Sequence, residues 1–90
     1  MAVELLKVSS HTEPKKTAGA ITSILRKDAE VEVQTIGAAA LNQAIKAIII
    51  ARGFLTVLGI EINVRPSFAK VFIDGMEKTA IKLSVHRAES

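Results

Sequence analysis

The sequence predicts an α/β fold with a four-stranded mixed sheet and two helices, in the order β-α-β-α-β-β. Two short apolar stretches, each followed by a longer stretch with helical spacing of apolar residues, predict the first four elements. Residues on both sides of Asp74-Gly75 alternate between apolar and polar, which predicts the last two strands. Ninety residues are the length of one small domain, which we expect to span positions 1–90.

The first strand is predicted at Val3–Val8, where apolar residues fall on both parities, as in an interior strand. A polar loop, Ser9–Glu13, follows it. Pro14 marks the first turn of a helix that runs to about Lys27, because that turn needs no backbone N–H from the proline. The apolar face of this helix consists of Ala18, Ile21, Ile24 and Leu25.

A second strand, Val31–Ile36, leads into the most informative segment of the chain. A helix is predicted to begin just after Gly37 and to end at Gly53, in the C′ position where glycine is favoured. The polar residues of this helix fall within roughly 100° of arc. They are Asn42, Gln43 and Lys46.

The second helix is apolar on more than one side. Ile49 and Ile50 flank its polar strip, where a surface helix would normally carry charged residues. A helix that is apolar on two sides must be covered on two sides. We therefore expect a homodimer or a dimer of dimers, with Ile49, Ile50 and Arg52 at the dimer interface.

The last third of the chain is predicted to be β-structure. Alternation marks strands around Ile60–Arg65 and Ile81–His86, and Asp74-Gly75 is a two-residue hairpin signal. Pro66 cannot donate a backbone hydrogen bond, so we expect a break or a bulge in the third strand there. Counted back from the turn, the arms of the hairpin are long enough to project beyond the body as a ribbon.

The composition argues against several classes of protein. The chain has no cysteine, and therefore no disulfide and no cysteine-based zinc site. The N-terminal MAVELLKV is too short and too charged for a signal peptide, and the longest apolar run, Ala47–Ala51, is far below the about 20 residues of a transmembrane helix. His11 and His86 have no partner at a catalytic or metal-ligand spacing. We expect a cytoplasmic, non-enzymatic protein with no metal, cofactor, small-molecule substrate or membrane partner.

Four local strings carry a resemblance to a known family. They are LKVSS at Leu6–Ser10, IGAAALNQAIKA at Ile36–Ala47, IARG at Ile50–Gly53, and IDG followed by TAIKL at Ile73–Leu83. With them the chain resembles the stage V sporulation protein S family, a small bacterial group, over nearly its full length. The resemblance implies an Alba-like fold with both helices on one face of the sheet. The more distant Alba proteins are dimers that place basic residues before the first helix, and a hairpin, against a nucleic acid.

Lys15 and Lys16 are the first candidate site residues. They lie in the first turn of the first helix, beside free backbone N–H groups, and form a candidate phosphate clamp. The alternative is that both are solvated lysines on an exposed turn. The resemblance to Alba proteins matches the region but not the aligned residues, because their basic pair precedes the proline and this pair follows Pro14.

Asn42 and Lys46 project from one side of the second helix and suit a sugar-phosphate backbone. A polar strip that keeps an apolar helix soluble, or in register within a dimer, explains them about equally well. The amides of Gly37–Ala40 offer an anion close access, although close packing of helix and sheet is the plainer explanation. Alba proteins carry an arginine near Ala39, and its absence weakens the case for binding of their strength.

On the hairpin, Lys70 and Lys78 are predicted to lie near one another across the strands. Phe72 is a candidate apolar residue for the tip. Asp74 and Glu77 lie at the same tip and would repel phosphate.

The net charge of +3, with a pI near 9.5, permits a polyanionic partner without requiring one. The leading hypothesis is a small regulatory protein that binds the phosphate backbone of DNA or RNA with little sequence specificity. The alternative is a dimeric protein–protein interaction module in cell division or developmental regulation, with no direct nucleic-acid contact. The two differ in whether the basic residues converge on one face. The candidate nucleic-acid-binding residues are Lys15, Lys16, Asn42, Lys46, Lys70 and Lys78.

Overall fold

The protein forms a single mixed sheet with two helices. The computed structural model describes residues 2–88. Its elements are β1 (Val3–Val8), α1 (Pro14–Arg26), β2 (Glu30–Thr35), α2 (Ala38–Val57), β3 (Ile62–Ile73) and β4 (Met76–Arg87). The strand order across the sheet is β1-β2-β4-β3. β1 and β2 are parallel, whereas β4 is antiparallel to both of its neighbours, so the predicted fold class is confirmed.

The hydrophobic core lies between the helices and one face of the sheet. Small residues on α2, such as Ala44 and Ala47, are fully buried and let this helix approach the rest of the core closely. The helices pack against each other and on the same face of the sheet, as the resemblance implies. The core residues of β2 and β4 are Val31, Val33, Leu83 and Val85, and those of α1 are Ala18, Ile21, Ile24 and Leu25.

α2 continues through Gly53, so the predicted helix end at that glycine is wrong. Leu55 is fully buried and anchors the last turns of the helix in the core. The left-handed residue is instead Gly59, with φ of +75°, whose N–H donates to the Thr56 carbonyl at 3.0 Å. The Ile60 N–H donates to the Leu55 carbonyl at 2.9 Å. These two bonds form a Schellman motif, which glycine completes without strain.

β3 passes through Pro66 without interruption, so the predicted break or bulge is wrong. The pairing with β4 keeps one register from Ile62–Arg87 to Ile73–Met76. Hydrogen bonding alternates along an antiparallel ladder and is present at the pair that closes a two-residue turn. Counted from that pair, Pro66 falls in a non-hydrogen-bonded pair. Its nitrogen therefore points to the open side of this edge strand, where no N–H is needed.

The two-residue turn at Asp74-Gly75 is confirmed. Both residues have positive φ, 52° and 77°, as a type I′ turn requires. β2 pairs with β4 only at residues 81–85, so the last five pairs between β3 and β4 extend beyond the rest of the sheet. We call this projecting part, residues 69–80, the ribbon.

By length and composition α2 is the single helix of the described residues that would be able to cross a membrane. One face of α2 packs in the core, and Asn42, Lys46 and Arg52 lie on its exposed side. We interpret it as the core helix of a globular domain.

Candidate nucleic-acid interface

Most of the predicted site residues lie at one end of the molecule, where β1 and β2 have their carboxyl ends. We call it the upper end. Each of these parallel strands leads there into a helix, so the first turns of α1 and α2 lie at this end. β3 runs in the same direction as β2, since both are antiparallel to β4. The ribbon therefore projects from the upper end as well.

Short polar contacts hold the loop between β1 and α1. The Ser9 N–H donates to Thr12 Oγ1 at 2.8 Å, and the His11 N–H donates to Ser9 Oγ at 3.2 Å. Gln43 of α2 donates through Nε2 to the Thr12 carbonyl at 3.0 Å. The sequence places Gln43 only in a polar strip, whereas the structure shows that it ties α2 to the loop from which α1 begins.

Lys15 and Lys46, from different helices, come together at a groove of about 420 Å³. We call it the lysine groove. Two residues predicted for the dimer interface, Ile49 and Ile50, line it too, so it combines two cations with an apolar wall. Its lining is completed by Glu13 and Pro14.

Lys16 does not line the lysine groove. Its Nζ lies 3.9 Å from Glu13 Oε2, and both side chains are largely exposed. An exposed ion pair of this kind is weak. Lys15 therefore lines the groove, whereas Lys16 lies outside its lining and pairs weakly with Glu13, which does line it.

Neither helix has a side-chain cap at its N-terminus or an acidic residue in its first turn. The N-cap residues are Glu13 for α1 and Gly37 for α2. The free N–H groups and the helix dipole favour an anion at both places. Of these two N-termini, that of α1 lies at the lysine groove, where the Glu13 carboxylate opposes an anion.

A larger concavity of about 730 Å³ lies between the β1–α1 loop, the start of α2 and the ribbon. We call it the upper groove. The predicted amide feature at Gly37–Ala40 lies in it, together with Lys7, Ser9 and Ser10, which sequence reasoning missed. A signal for them existed, because residues that follow parallel strands meet at the carboxyl edge of the sheet, where ligands commonly bind.

Lys70 and Lys78 lie on opposite faces of the ribbon. Lys70 pairs with Thr79, whereas Lys78 pairs with Val71, and consecutive side chains alternate between faces. Lys70 Nζ also lies 3.5 Å from Glu77 Oε1. The two lysines are neighbours in the register, as predicted, but they form no shared basic surface.

The predicted interface residues of α2 differ in exposure. Ile49 is 62% exposed, and Arg52 is exposed as well. Ile50 is half-buried and packs against the core. Asn42 is exposed near the start of the helix. An apolar patch on α2 thus remains uncovered in the monomer, with Ile49 at its centre.

One family model matches almost the whole chain. It is described as stage V sporulation protein S, and it matches residues 4–88. The chain belongs to the stage V sporulation protein S family. The matched range runs from β1 to the end of β4 and includes both grooves. The resemblance seen in the sequence is confirmed, the Alba-like fold is consistent with this family, and the chain is a small sporulation-related protein.

Proposed function

We propose that this member of the stage V sporulation protein S family is a cytoplasmic, non-enzymatic regulatory protein that binds the phosphate backbone of DNA or RNA. The observation that supports it best is the meeting of Lys15 and Lys46 in one groove, beside the uncapped N-terminus of α1. Elements far apart in sequence thus direct positive charge to one surface.

The chemistry of this end suits phosphate rather than a base edge. Lysine acts as a point charge, and backbone N–H groups and hydroxyls contact phosphate oxygens without reading sequence. The upper groove adds the ammonium of Lys7 and the hydroxyls of Ser9 and Ser10 to the amides of α2. We therefore expect little sequence specificity.

The proposed binding is modest in strength and sensitive to salt. Glu13 lies in the lysine groove, and Asp74 and Glu77 lie on the ribbon, where their carboxylates oppose phosphate. Lys16, Asn42 and Lys78 act as outlying contacts of the same backbone. A homodimer would double the net charge of +3 and present both binding ends to one nucleic acid.

The proposed homodimer, or dimer of dimers, uses the exposed face of α2. Ile45 and Ile49 are 39% and 62% exposed there, and Arg52 lies on the same side. Aliphatic side chains in a patch of this kind gain by burial against a second apolar surface.

A second candidate function is a protein–protein interaction module with no nucleic-acid contact. The acidic residues on the ribbon, Asp74 and Glu77, together with the apolar patch on α2, favour it. Both functions use a dimer, so the oligomeric state does not separate them.

A salt titration distinguishes the two candidate functions. Binding to labelled duplex DNA, single-stranded DNA and RNA is measured from low to moderate salt, and log K is plotted against log salt. A line with a slope of several phosphates per dimer supports phosphate-backbone binding. Lys15→Glu should abolish most of the binding, while Lys27→Glu, the same charge change at the other end of α1, should leave it nearly intact. No binding at low salt would favour the interaction module.

A further inference from the structure

The base of the ribbon and the ribbon itself expose two phenylalanines on one face. Phe68 is 80% exposed and Phe72 is 74% exposed. Four residues separate them along β3, so their side chains point to the same side of the strand. The chain has three phenylalanines and no tyrosine or tryptophan. Most of its aromatic content therefore stands in one exposed row.

Lys70 lies between the two rings on the same face. At about 3.3 Å per residue, it is about 7 Å along the strand from each phenylalanine, and the phenylalanines are about 13 Å apart. The lysine side chain is 76% exposed. The three side chains therefore form an exposed row of ring, cation and ring on one face of β3.

We propose that the row Phe68, Lys70 and Phe72 binds single-stranded nucleic acid by stacking unpaired bases on the two rings. The inference rests on the proposed function, because the row extends the phosphate-binding upper end. It narrows the partner from nucleic acid in general to strands whose bases are unpaired. Stacking of this kind tolerates any sequence, since every base has a π-face.

The charges on the ribbon favour bases over phosphates as the main contact. Lys70 lies 3.5 Å from the Glu77 carboxylate, and Asp74 adds a second negative charge at the turn. The attraction of the ribbon for phosphate is therefore small. Binding there must come chiefly from the rings, which a duplex cannot use because its base faces are covered by neighbouring bases.

The spacing of the rings points the same way. Stacked bases lie roughly 3.4 Å apart in a regular strand. Rings about 13 Å apart must therefore hold two separate, unstacked bases. A protein partner that covered both Phe68 and Phe72 would also have to bury the ion pair of Lys70 and Glu77 beside them, at a cost in desolvation.

The first test uses the full chain with three ligands: a short oligothymidine, an oligonucleotide of the same length that lacks its bases, and a duplex. The wild type should bind oligothymidine at least about 25-fold more tightly than the abasic strand, which has no bases to stack on the rings. Phe68→Ala with Phe72→Ala should weaken oligothymidine binding about 25-fold, from about fivefold for each ring. Its affinities for the duplex and the abasic strand should change less than about twofold.

A matched variant isolates the aromatic contribution. Phe68→Leu with Phe72→Leu keeps apolar side chains of similar size and should lose nearly as much affinity for oligothymidine. Both positions are largely exposed, so neither variant should lower the thermal midpoint appreciably. Because the chain has no tryptophan, Phe72→Trp gives a single fluorescent reporter, which oligothymidine should quench and the abasic strand should not.

The outcomes separate this inference from the proposed function. Equal binding of oligothymidine and the abasic strand, or an alanine variant with unchanged affinity, would overturn stacking and leave the phosphate-binding end in place. Failure of all three ligands to bind would overturn both. An alanine variant of lower oligomeric mass and unchanged affinity would assign the rings to contact between copies, and would also overturn the inference.

Discussion

Gln43 Nε2 donates a 3.0 Å hydrogen bond to the Thr12 carbonyl, across 31 positions of sequence. Thr12 precedes Glu13, the N-cap residue of α1, so this bond joins α2 to the start of the other helix. The lysine groove is lined from both helices, by Lys15 and Lys46. The bond therefore helps to set the distance between its two cations.

Gln43→Leu should weaken both the fold and the binding. The substitution keeps the approximate size of the side chain but leaves the Thr12 carbonyl without its donor, at a cost of about 1 kcal/mol in the free energy of unfolding. Nucleic-acid affinity at fixed salt should fall several-fold, because Lys15 loses its fixed position. Denaturant unfolding and a binding titration measure the two effects. Unchanged affinity together with reduced stability would show that binding does not need the loop fixed.

Lys15 should contribute more to binding than its neighbour Lys16. Lys15 lines the groove with Lys46, whereas Lys16 extends into solvent near Glu13. Lys15→Ala should lower the slope of log K against log salt by about one, as expected for the loss of one phosphate contact. Lys16→Ala should lower it by less.

Lys27→Ala is the matched control for this comparison. Lys27 is the C-cap residue of α1, so it is exposed at the other end of the same helix. Its loss removes one positive charge without touching the upper end. If Lys27→Ala lowered the slope as much as Lys15→Ala, binding would follow net charge rather than the position of the cations.

Periodicity in the sequence was sufficient to predict the elements, because each pattern reflects the face that the chain buries. β1 lies where predicted, and β2 is displaced by one residue. The errors came from single residues with two physical roles. Glycine is disfavoured in a helix interior and favoured just after a helix end, but the burial of Leu55 stabilises the helix beyond Gly53 and outweighs this preference. Pro66 disrupts no hydrogen bond because β3 is an edge strand. That position follows from the strand order, which is a property of the assembled sheet.

The candidate site was harder to predict than the fold, because it depends on which separate elements meet. The sequence supplied Lys15 and Lys46 as independent candidates, and the packing of α1 on α2 brings them together. Lys70 and Lys78 show the opposite case. They lie on opposite faces because of the register of β3 on β4. A change of one residue in that register would move every side chain of a strand to the other face.

Alanine at Gly53, within α2, and alanine at Gly59, just after α2, should change the free energy of unfolding in opposite directions. Gly53 is exposed within the helix, and a Cβ there would meet no atom within 4 Å. Gly53→Ala should therefore raise the free energy of unfolding by about 0.5–1 kcal/mol. Gly59→Ala should lower it by about 1 kcal/mol, because alanine is strained at a φ of +75°. Chemical denaturation of both variants tests this assignment of the helix end, and a Gly53→Ala variant that unfolds more readily would contradict it.

Ile49→Asp should convert the proposed dimer to monomers. Ile49 is 62% exposed, so aspartate at this position costs the isolated fold little. In a dimer the same carboxylate would be buried in an apolar contact, at a cost of several kcal/mol that Arg52, three positions along α2, would offset only in part. The dimer dissociation constant should therefore rise at least about a hundredfold. Ile50 is less suitable for this test, because it packs against the core and a charge there would also destabilise the monomer.

Light scattering across a dilution series measures the mass of the Ile49→Asp variant. Ile49→Leu is its control, since it keeps an apolar side chain at the same place and should remain dimeric. A variant that kept the mass of the wild-type dimer at every dilution would move the interface away from this face of α2. The exposed Ile49 side chain would then be a candidate contact for a different protein.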